Sequence, residues 1–77
     1  MNAPRSISAE YLMGIKEGRE LLKASNPDLD MMRAYLASTI ATMREFSAGP
    51  VKDMLKGERD FWQNQIKLEI LKRAGRR

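Results

Sequence analysis

Cysteine and histidine are both missing from the chain, and the two absences exclude more chemistry than any motif in it suggests. Without cysteine there is no disulfide to staple a small fold, and with neither residue there is no ordinary zinc site. The imidazole that would activate a serine or cysteine nucleophile is missing too, and no Gly-rich loop joins a strand to a helix to hold phosphate. The close carboxylate pair outside mid-helix charge patterns, Asp28 and Asp30, lies where a helix begins, and capping accounts for it. A protein that is not an enzyme, with no cofactor and no metal, is the expectation.

Long apolar runs are also missing. Nowhere do about 18 apolar residues follow one another, as a membrane-spanning helix needs, and Met1 to Ile7 holds one Arg and no run of signal-peptide length. The expected location is cytoplasmic, with no membrane partner. A chain of 77 residues buries only roughly 60% of the surface that it exposes when unfolded. With staples excluded, self-association is the remaining reinforcement, so a homo-oligomer is expected.

The net charge of +4 is unevenly placed. Lys67, Lys72, Arg73, Arg76 and Arg77 face only Glu69 in the last eleven residues, which leaves nine basic and nine acidic side chains in residues 1 to 66. A neutral body with a basic tail offers no broad electrostatic footprint for a duplex.

What is present is helical periodicity broken at two points. Met1 to Ile7, with Pro4, reads as a flexible arm, and Ser6 or Ser8 caps a first helix over about residues 8–25. Tyr11, Ile15, Gly18 and Leu22 share one face of it, while Lys16, Glu17, Glu20 and Lys23 lie opposite or on its flanks. Asn26-Pro27-Asp28 starts a second helix over about 27–47, with Asn26 as cap and Pro27 in the first position. Leu29, Met32, Leu36, Ile40 and Met43 form its seam, widened by Tyr35, Thr39 and Phe46. No charge occurs from Ala34 to Met43, and Ala34, Ala37 and Ala41 take the reverse side, so this helix reads as the central one.

Gly49-Pro50 closes the second helix and opens a third over about 50–74, ending at Gly75. Its inward face holds Val51, Met54, Leu55, Phe61, Trp62, Gln65 and Ile66, together with Glu58. Gly57 costs about 1 kcal/mol in a helix interior and marks a point of kink or break. No stretch alternates as a strand does. The fold class is all-α: one helical domain over 1–77 with a basic tail at 75–77. It is either an antiparallel three-helix bundle or a helical hairpin completed by self-association.

Several residues stand out against that frame. Gly14 and Gly18 lie on adjacent turns at the edge of the buried stripe, a groove that seats an aromatic such as Trp62 or Phe46, or else an intersubunit contact. Glu58 lies among Met54, Leu55, Phe61 and Trp62, and Arg33 or Arg44 would neutralise it. Trp62 reads as core and Phe61 as nearer its edge. Leu68, Ile70 and Leu71 point in three directions, and Met13 and Met31 sit on polar sides, so apolar surface is left over. Met31, Tyr35, Phe46, Phe61, Leu68, Ile70 and Leu71 are accordingly the candidate protein interface. Lys72, Arg73, Arg76 and Arg77 are the candidate phosphate contacts.

The run Val51-Lys52-Asp53-Met54-Leu55-Lys56-Gly57-Glu58-Arg59-Asp60-Phe61-Trp62, following Ala41-Thr42-Met43-Arg44-Glu45-Phe46, resembles short helical proteins encoded by tailed bacteriophages and prophages. The resemblance covers about residues 11 to 67 and brings no functional residues with it. It implies a small accessory protein of an infected or lysogenic bacterium, of a kind that binds a host or phage protein. Residues and resemblance together predict a non-enzymatic interaction protein that binds another protein and self-associates through apolar helix faces. The alternatives are a nucleic-acid-associated factor that uses the basic tail, and a small virion assembly component.

Overall fold

A computed structural model describes residues 7–75, so the arm as far as Ser6, and Arg76 and Arg77 of the tail, lie outside the described residues. Three helices and no strand occur within them: α1 (Ala9–Ser25), α2 (Leu29–Met43) and α3 (Pro50–Ala74). Ser8 caps α1, its hydroxyl accepting from the Tyr11 amide at 3.1 Å. Asn26 ends α1 rather than capping α2. It adopts the left-handed conformation at φ 44° and donates its amide to the Leu22 carbonyl at 2.9 Å, a standard use of Asn in this position. The cap of α2 is Asp28, which accepts from the Met31 amide at 2.9 Å.

α2 is shorter than its periodicity suggests. After Met43 the chain tightens into three-residue closures, Glu45 to Thr42 at 3.0 Å and Phe46 to Met43 at 3.1 Å, which end the α-helical ladder before Ser47. Gly49, at φ 115°, turns the chain, and Pro50 opens α3. α3 then runs unbroken through Gly57, over about 37 Å at 1.5 Å per residue.

The central helix is α3, not α2. α1 and α2 each pack on α3, and their backbones do not approach one another. Glycine explains the difference. A Cβ on Gly57 would overlap the Tyr11 carbonyl oxygen, and one on Gly14 would overlap that of Met54. The two backbones are therefore in direct contact, with both glycines buried. The glycine that reads as a weak point of α3 is what admits α1.

Paired positions give the helix directions. Tyr11 lies against Gly57 and Gly18 against Phe61, so α1 runs in the sense of α3. Tyr35 stacks on Trp62 at 5.0 Å, while Met43 shares a hollow with Lys52 and Arg59, so α2 runs against it. The helices form an open layer in the order α1, α3, α2, with extents of 46 × 33 × 20 Å.

Little apolar side chain is fully covered. Leu29, Met32, Met43, Leu55 and Trp62 are the buried hydrophobic residues. Trp62 is the deepest, 2% exposed, and Phe61 meets it edge-on at 4.9 Å. Val51, expected on the inward face, is exposed instead, because it lies in the first turn of α3 before either neighbour covers it.

Candidate functional site

The residues that sequence reasoning assembled into one interface separate into two groups. Tyr35, Phe46 and Phe61 are half-buried. Tyr35 lies on Trp62 and donates its hydroxyl to Ser25 Oγ of α1 at 3.3 Å. Phe61 fills the space above Gly18, where a Cβ would come within 2.5 Å of its ring. The aromatic that the glycine pair seats is thus Phe61, rather than Trp62 or Phe46, and Gly14 faces backbone instead. Met31, Leu68, Ile70 and Leu71 are exposed, and of the seven only these four present free apolar surface.

The far half of α3 carries most of that surface. Ile66, Ile70 and Leu71, with Gln63, Asn64 and Lys67, line an open hollow of about 550 Å³. Lys72 and Arg73 follow, both exposed, and Arg73 Nε pairs with Glu69 at 3.1 Å. Arg76 and Arg77, the other two candidate phosphate contacts, lie outside the described residues. This basic end is partly neutralised within its own helix.

Glu58 does not meet an arginine. Glu17 of α1 lies beside it, brought alongside by the close approach at Gly14 and Gly57. Burial above all, and then the proximity and like charge of Glu17, push the Glu58 carboxyl up to about 7 from the ordinary 4.5. Arg33 turns to Asp30 at 3.8 Å instead, and Arg44 lies across α3 from Glu58, beside Lys52 and Arg59. Assigning Arg33 or Arg44 to Glu58 fails because α2 packs on the other flank of α3.

Asp60 is the second carboxylate with defined partners. Tyr11 donates its hydroxyl to one oxygen at 2.5 Å, and Arg59 Nε donates to the other at 2.9 Å. The bond to Asp60 raises the Tyr11 pKa, with burial adding to it. The Tyr11 bond ties α1 to α3, the Arg59 bond lies within α3, and both carboxylate oxygens are occupied. Among the described residues no three acidic groups converge as metal ligands, and no buried side-chain polar atom lacks a hydrogen bond.

Sequence reasoning passed over a cluster of cations. Arg44 joins Lys52 and Arg59 around a hollow floored by Ile40 and Met43. Part of the signal was legible, since Lys52, Lys56 and Arg59 follow one another at helical spacing on a single face. Arg44 joins them only once α2 is laid against α3.

These features define an all-helical three-helix layer whose candidate sites are surfaces rather than clefts. No protein-family model, curated protein or solved structure matches the chain. No helix among the described residues is long and apolar enough to cross a membrane.

Proposed function

We propose that this chain is a non-enzymatic interaction protein, encoded by a bacteriophage or prophage, that self-associates and binds another protein through its uncovered apolar helix surfaces. One observation carries the reading: among the described residues nine large hydrophobic side chains are exposed, against five that are buried. Scattered apolar residues are normal on a surface, but an excess over the core is not.

The outer edge of α2 is the first candidate for self-association. Its charge-free stretch from Ala34 to Met43 is covered by α3 on one side only, and Ala34, Ala37 and Ala41 are exposed. Small side chains let a second helix come close. Antiparallel pairing of two α2 helices about Ala37 sets Asp30 of one chain near Arg44 of the other, opposite charges at both ends of the seam. The far end of α3, with Leu68, Ile70 and Leu71, then remains for a protein partner.

Light scattering and melting over a range of concentrations test this. A mass near twice that of the chain and a melting temperature that rises with concentration are expected. Ala37→Glu, which places a charge at the centre of the seam, should return the protein to monomer. A wild-type monomer throughout, with a melt independent of concentration, contradicts the reading.

A further inference from the structure

An open layer has two broad sides, and here they differ in charge. Three hollows adjoin on one side. Arg44, Lys52 and Arg59 ring one of about 270 Å³ between α2 and α3. Arg19, Asp60 and Asn64 edge another of about 320 Å³ between α1 and α3. Asp60 and Asn64 also edge the third, of about 550 Å³, which Lys67 closes farther along α3. The second and third hollows share Asp60 and Asn64, and Arg59 of the first is bonded to Asp60, which sets the three side by side along α3. Lys56 stands one helical turn from both Lys52 and Arg59 and belongs to it as well.

The opposite side is acidic. Glu17 meets Glu58 there, and helical spacing adds Glu10, seven residues before Glu17, and Glu69, eleven after Glu58. In a closed bundle the seams between helices would bury these flanks, but the α1, α3, α2 order leaves them open.

We propose that the basic side is a nucleic-acid-binding face that grips the phosphodiester backbone without reading bases, through Arg19, Arg44, Lys52, Lys56, Arg59 and Lys67. Asp60 is the one carboxylate in the three hollows, and both its oxygens are already occupied, so it opposes an incoming phosphate less than a free carboxylate does. The cations do not converge as a site for one small anion would require. From Lys52 to Lys67 they run about 22 Å along α3 at 1.5 Å per residue, and they extend onto both neighbouring helices. A polymer with closely spaced phosphates satisfies such a spread, and its counterions are released as it does so. This face is separate from the basic tail and shares only Arg44 with the outer edge of α2.

The test is fluorescence anisotropy of a labelled DNA duplex, and of a labelled single strand, titrated with the full chain. Affinity should be alike for unrelated sequences and should fall roughly 100-fold between about 50 and 200 mM salt, as about four phosphate contacts require. Lys52→Glu with Lys56→Glu should weaken binding at least about tenfold and flatten the salt slope by about two. The milder pair Lys52→Gln with Lys56→Gln should move both in the same direction, and Trp62 fluorescence checks that each variant is folded. Replacing Lys72, Arg73, Arg76 and Arg77 by Gln should weaken binding less than the pair of reversals on the face. The proposal is overturned by absence of binding at low salt, or by a tail variant that loses binding while the face variant keeps it. Competition by poly-L-glutamate as effective, charge for charge, as that by DNA also overturns it, and would mark the face as one for an acidic protein.

Discussion

Gly57→Ala is the substitution on which intrinsic helix preference and packing disagree most sharply. In an isolated helix the change is favourable by about 1 kcal/mol, because Ala restricts the unfolded backbone and adds no crowding. In the folded chain the new Cβ overlaps the Tyr11 carbonyl oxygen and lies 3.2 Å from the Ile15 amide nitrogen. The first of these is backbone of a packed helix and cannot rotate away. Restoring ordinary contact moves α1 outward by more than an ångström, which loosens the seat of Phe61 on Gly18 and the Tyr11 bond to Asp60. Overpacking of this kind costs about 1–3 kcal/mol, occasionally more, and the lost contacts put this site at the upper end. After the helix-propensity gain, the net loss is about 2 kcal/mol. For a domain of this size that lowers the melting temperature by about 8–16 °C. Thermal unfolding followed by circular dichroism reads it, with Gly75→Ala as the control, since a Cβ there meets nothing closer than 3.5 Å. A Gly57→Ala protein that melts at or above the wild-type temperature would refute the close approach of α1 and α3.

Two further outcomes follow from the core and from the carboxyl pair. Trp62→Ala removes the one tryptophan, 2% exposed, at a cost of about 3–5 kcal/mol. That equals the stability a core of this size supplies, so the far-ultraviolet spectrum should lose its helical signal at room temperature; a cooperative melt retained there would contradict the assignment of Trp62 as the centre of the fold. Glu58, pushed up to about 7 from 4.5, binds its proton more tightly folded than unfolded. Its contribution to stability is therefore full below about 4.5 and lost as pH rises through about 7. At face value the shift is worth about 3 kcal/mol, but solvent screening of a half-buried carboxyl brings it to about 1 kcal/mol. Glu58→Gln should stabilise the protein at pH 8 and flatten that dependence in denaturant titrations. Unchanged stability at pH 8 would contradict both the burial of the Glu58 carboxyl and its approach to Glu17.

The helices were legible in the sequence because their punctuation is local. Ser8, Gly49 and Pro50 act through their own backbone neighbourhood, and the periodicity between them needs no partner. The order of the layer was not legible. A charge-free α2 reads as the helix that must be covered twice, whereas the helix covered twice is α3, which contains Glu58, Arg59 and Asp60 in its middle. That reversal turns on Gly14 and Gly57, forty-three positions apart in the chain, each of which alone reads as a local weakness. The same reversal removed Arg33 and Arg44 from Glu58 and gathered Arg44 with Lys52 and Arg59. The half-burial of Tyr35 and Phe61 was likewise a matter of which helix lay opposite. The exposed end of α3 was legible from three apolar residues that no single core could face.

An α3-centred layer is the premise from which the open edge of α2 and the basic side both follow. Nuclear Overhauser contacts in uniformly labelled protein, held at a concentration where it is monomeric, test it most directly. Cross-peaks are predicted from the Gly14 and Gly57 α-protons to the facing helix, and from the Trp62 indole to the rings of Tyr35 and Phe61. The methyl groups of Ala34, Ala37 and Ala41 should show none to α1. Contacts from those methyls to side chains of α1, in place of the glycine contacts between α1 and α3, would contradict the account.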